Sequence, residues 1–151
     1  MKRIWVLCCA LALAACGPAP QPVKQVERDA TEEDWYKPAI AELSDLARRG
    51  DALFRKGDQD GAAALIEKGT AIEGKLLSAR QPPLDAMEAA SDLDQLYGDM
   101  LKTNHNCGWA TQFYQKNLSR WKHWPEQTPE TKRRFKLAQD AIAECDRIML
   151  R

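Results

Sequence analysis

From residue 31 onward, apolar residues recur three and four positions apart, and that period fits helices and little else. Ile40, Leu43, Leu46, Ala47, Gly50, Leu53 and Phe54 fall on one face of a helix and would scatter over both faces of a strand. Breakers divide the pattern: Gly57-Asp58, then Gln81-Pro82-Pro83, Asn104-His105-Asn106 and Trp124-Pro125. Runs of β-branched residues, which a sheet would use, are missing. The pattern predicts an all-α domain of about five helices, over 31–56, 60–80, 83–103, 107–123 and 129–150.

Local signals refine the boundaries. Thr31 with Asp34 imitates a capping box, and Pro38 either opens a second helix in its first turn or kinks one long helix. Thr128 followed by Pro129 reads as an N-cap and first helical position. The expected stripes are Ala64, Leu65, Ile72, Leu76 and Leu77 in the second helix and Met87, Ala90, Leu93, Tyr97 and Met100 in the third. Ala110, Phe113, Tyr114, Leu118 and Trp121 form that of the fourth, and Phe135, Ala138, Ile142, Cys145 and Met149 that of the last.

The first fifteen residues are of a different kind. Lys2 and Arg3 precede an apolar run from Ile4 to Ala15, which is too short to span a bilayer as a permanent helix. It ends in Leu13-Ala14-Ala15-Cys16-Gly17, which resembles the lipobox of bacterial lipoproteins; the alternative is an ordinary cleaved leader with an incidental cysteine. The resemblance implies cleavage before Cys16 and lipid attachment to it, with several acyl chains making a firm membrane anchor. Gly17, where an Asp would resemble an inner-membrane retention signal, implies delivery to the outer membrane of a Gram-negative envelope. The division is then a signal peptide over 1–15, a tether over 16–30 extended by Pro18, Pro20 and Pro22, and a helical domain over 31–151. Losing Lys2 and Arg3 leaves 20 basic side chains against 22 acidic ones. That balance offers no basic footprint for nucleic acid.

Of five cysteines, Cys8 and Cys9 fall in the leader, leaving Cys107 and Cys145 beside Cys16. Cys107 stands 16 residues before His123, and Cys145 stands 16 residues after Pro129. Two antiparallel helices joined at Trp124-Pro125 bring them level, and an exported chain would form a disulfide there. The alternatives are two buried thiols, or a zinc site for which His105 and His123 would have to converge on both cysteines. No metal or cofactor is expected.

Gly50, Asp51, Leu53, Ala62, Ile66 and Lys68 recur 48 positions later as Gly98, Asp99, Leu101, Ala110, Tyr114 and Lys116. With Gly57-Asp58 between helices and Gly69 in a second small position, the spacing resembles a tetratricopeptide hairpin. The departures are several. The period is longer than that family's, Arg49 stands at its first-helix Leu, no Pro closes either unit, and His105-Asn106 replaces the Gly-Asp turn. Tetratricopeptide-like stacking and a plain antiparallel bundle both remain open.

No arrangement of nucleophile, base and orienting group stands out, and an enzyme is not expected. Asp58-Gln59-Asp60-Gly61 opens like a calcium loop, yet the twelfth position is Gly69 rather than Glu. Asp92, Asp94 and Asp99 would act as a carboxylate pair only inside a cleft. The aromatic cluster offers more: Phe113 and Trp121 fit the core, whereas Trp124 in the linker, with Trp109 and Tyr114, could bind a partner. The expected function is a lipid-anchored interaction module, a scaffold or accessory subunit of an envelope or secretion assembly similar in size and build to secretin pilotins. An immunity lipoprotein blocking a toxin or cell-wall hydrolase is the alternative. Its partner would be another envelope protein, with no small-molecule substrate.

Overall fold

The first long helix, α1 (Tyr36–Arg55), begins where Pro38 can sit in its opening turn, at a position whose missing N–H breaks no helical hydrogen bond. Thr31 does not start it. Asp29 instead caps a short 3-10 turn, Ala30–Glu32, by accepting from the Thr31 amide at 3.0 Å. The structure, a computed structural model, describes residues 29–150, so Cys16, the leader and most of the tether lie outside the described residues. Four more helices follow: α2 (Gln59–Leu76), α3 (Leu84–Thr103), α4 (Cys107–Lys122) and α5 (Pro129–Met149). Among the described residues no strand occurs, and the fold is an all-α bundle of five helices.

The 48-residue repeat is written into the turns. Gly57 ends α1 at φ 85°, with its own N–H on Phe54 and that of Asp58 on Leu53, while the Asp58 side chain caps α2. His105 ends α3 in the same manner at φ 60°, with N–H groups of His105 and Asn106 on Lys102 and Leu101, and Asn106 caps α4. The two hairpins therefore share one closing device although a histidine has replaced the glycine. Their interiors also correspond: Gly50 and Gly98 face the partner helices, and Ala62 and Ala110 are fully buried.

α1 packs along both α2 and α3, α2 borders α3 more narrowly, and α3 pairs with α4, which pairs with α5. The main core lies between α1, α2 and α3 around Leu43, Ile66, Leu76 and Leu93. A smaller one joins α4 to α5 around Tyr114, Ala141 and Cys145. The Tyr36 hydroxyl donates to the Leu76 carbonyl at 2.9 Å, tying the start of α1 to the end of α2. Helix α2 stops there, short of the predicted Arg80.

The buried stripe of α2 differs from the expected one. Ala62, Ile66, Gly69, Glu73 and Leu76 face inward, and Ala64 is exposed. Hydropathy alone favours Leu65 and Ile72, which are half-buried. Close helix packing instead selects small residues and one paired acid.

Candidate functional site

The inward Glu73 of α2 meets charges from two other helices. Asp94 of α3 is 1% exposed and accepts from Lys116 Nζ at 2.6 Å and Arg120 Nη2 at 3.0 Å, both on α4. The same two cations stand 3.5 Å from Glu73 Oε1, which is buried without a hydrogen bond. Arg120 also reaches Asn117 Oδ1; Asn117 donates to the Ser91 carbonyl at 3.0 Å, and Trp121 Nε1 donates to Ser91 Oγ at 2.9 Å. Burial pushes the Glu73 carboxyl up to about 7, the negative charge of Asp94 adds to that, and Lys116 and Arg120 pull against it.

A separate groove lies between α2 and α3. Ile66, Thr70 and Ala71 of α2, with Tyr97 and Met100 of α3, line an open space of about 620 Å³. Tyr97 stacks on Phe113 of α4 with ring centroids 4.4 Å apart. One turn before Phe113, Trp109 is 62% exposed.

The expected partner-binding residues thus separate. Trp109 presents its ring to solvent. Trp124 is half-buried, lying edge-on to Trp121 at 6.1 Å. Tyr114 is not a surface residue at all: it is fully buried, and its hydroxyl donates to Asp99 at 2.8 Å, so it serves the core. Cys107 and Cys145 are both buried in the small core as thiols, close enough for the Cys107 thiol to act on Cys145. His105 and His123 sit at opposite ends of α4, and among the described residues no group of three metal-ligating side chains converges.

Sequence reasoning passed over Glu73 and Arg120, met Lys116 only as a member of the repeat, and named Asp94 only within an acidic cluster with Asp92 and Asp99. The available signal was an acid on the apolar stripe of α3 beside Leu93, with Lys116 and Arg120 one helical turn apart. Among the described residues no helix is long and apolar enough to cross a membrane. No protein-family profile, curated protein or solved structure matches the chain.

Proposed function

We propose that this protein is a lipid-anchored interaction module of the bacterial envelope, held at the outer membrane through Cys16 and acting by binding another envelope protein. The observation that carries this reading is Trp109. Trp109 is 62% exposed one helical turn before Phe113, whose ring packs on Tyr97 of the groove, and large rigid aromatics of this kind anchor protein interfaces. The leader ending in Cys16 supports the address, and the proline-spaced tether supports a domain held clear of the headgroups.

The test is capture from native membranes with the lipidated full chain, comparing the parent with Trp109→Ala. A specific protein recovered with the parent and lost with the variant supports the reading. Equal recovery with both removes Trp109 from the interface, and no recovered protein removes the interaction role. Recovery of a toxin or a cell-wall hydrolase would turn the accessory role into an inhibitory one. Cys16→Ser should release the chain from membranes, and persistent association would overturn the lipid anchor.

A further inference from the structure

We propose that a second surface, the cleft between the α2–α3 connection and α4, docks an acidic peptide segment of the partner that carries an apolar side chain beside its carboxylates; this rests on the interaction-module reading. The cleft holds about 720 Å³ and presents two exposed cations, Arg80 from the connection and Lys116 from α4, while Arg120 reaches its wall with a side chain only 6% exposed and bound to Asp94 and Asn117. Gln112, Gln115 and Ser119 add neutral donors, and Leu77, Pro82 and Met87 supply the apolar part. No carboxylate lines it, although the chain has as many acids as bases.

Among the described residues, Asp94 and Glu73 lie behind Lys116 and Arg120, and the charge of Asp29 acts on Arg80 from beyond ion-pair distance. The side chains of Asp94 and Glu73 are 1% and 7% exposed, so they fix Lys116 and Arg120 from the protein side without facing the cleft. Lys116 remains 49% exposed and retains donors for a ligand, and Arg80 makes no ion pair among the described residues. Positions of α4 that line the cleft therefore offer positive charge at Lys116 and neutral groups able to donate at Gln112, Gln115 and Ser119, with no carboxylate among them, which suits carboxylates of a ligand. An anionic bilayer is the weaker match. Lipid-binding surfaces gather four to eight basic residues, and here Arg80 and Lys116 are the two exposed cations, beside apolar contacts from Leu77, Pro82 and Met87.

The experiment uses the full chain and a fluorescently labelled eight-residue peptide alternating glutamate and leucine, followed by anisotropy. Its control has glutamine for every glutamate. The acidic peptide should bind and the control should not, with affinity falling as salt rises. Arg80→Gln, at an exposed side chain, should weaken binding about threefold to fivefold. Gln115→Glu, which places a carboxylate in the cleft, should weaken it further. Equal binding of both peptides, or unchanged affinity in both variants, would overturn the site. Arg80-dependent binding to phosphatidylglycerol vesicles with no peptide binding would overturn it in favour of lipid. Loss of the peptide site while a partner is still captured through Trp109 leaves the interaction role standing. Peptide binding without any captured partner does the reverse.

Discussion

Gly98 of α3 lies so close to Tyr114 of α4 that a Cβ added there would stand 2.5 Å from the tyrosine Cε1. Tyr114 is fully buried and its hydroxyl is held by Asp99, so the ring has little freedom to retreat. Gly98→Ala should therefore destabilise the fold by about 1–3 kcal/mol despite alanine's higher helix propensity. Gly74→Ala, where an added Cβ meets nothing within 4 Å, should instead stabilise by about 0.5–1 kcal/mol. Chemical denaturation of the two variants checks both signs, and two equal effects would refute the close approach.

His105 occupies the left-handed region at φ 60°, where its counterpart in the first hairpin is Gly57. The histidine side chain is exposed, so little packing would be lost on removing it. His105→Gly should raise stability by about 0.5–1 kcal/mol by relieving backbone strain. Gly57→Ala should lower stability by about 1 kcal/mol for the same reason. Thermal melts of the pair decide it.

Glu73 couples stability to pH. Its carboxyl stands near 7 in the folded protein and about 4.3 when unfolded. The folded state therefore holds the extra proton between those values, and the associated stability is present below about pH 4 and lost as pH rises through 7. The loss is on the order of 3 kcal/mol. Glu73→Gln lacks this proton, so denaturation at pH 5 and pH 8 should show the parent losing ground to the variant at the higher pH. A difference independent of pH would refute it.

The cysteine pair predicts a redox-dependent stability. Burial, together with the Cys107 thiol, pushes Cys145 up to about 12, so native reduced protein should resist alkylation at pH 8 and react fully in denaturant. In chain taken from an oxidising compartment, peptide mapping without reductant should show Cys107 joined to Cys145. The link would stabilise by about 4 kcal/mol in the chain-entropy account. Alkylation of both cysteines in freshly isolated, denatured but unreduced protein would rule out the link.

Helix placement was legible because it depends on neighbours in sequence. Pro129 after Thr128, the breaker at Pro82-Pro83 and the turn at Gly57-Asp58 mark ends that local backbone chemistry alone dictates. The repeat was legible too, and the equivalence of His105 with Gly57 shows that it extends to backbone conformation. The site was less so. Trp109 and Trp124 are the same residue type in one aromatic cluster, and nothing local says that Trp121 will cover one and leave the other in water.

By itself the sequence determined an all-α chain, the extent of most helices and the hairpin turns, because period, caps and breakers act over a few residues. Only the tertiary structure decided which faces met. It turned α2 so that Ala62, Gly69 and Glu73 point inward rather than Ala64, and it took Tyr114 from the surface into the core. It also gathered Glu73, Asp94, Lys116 and Arg120 from three helices into one junction. The physical reason is that burial and ion pairing depend on contacts between residues distant in the chain. A charge on an apolar stripe is stable only where the opposing helix brings its counter-charge.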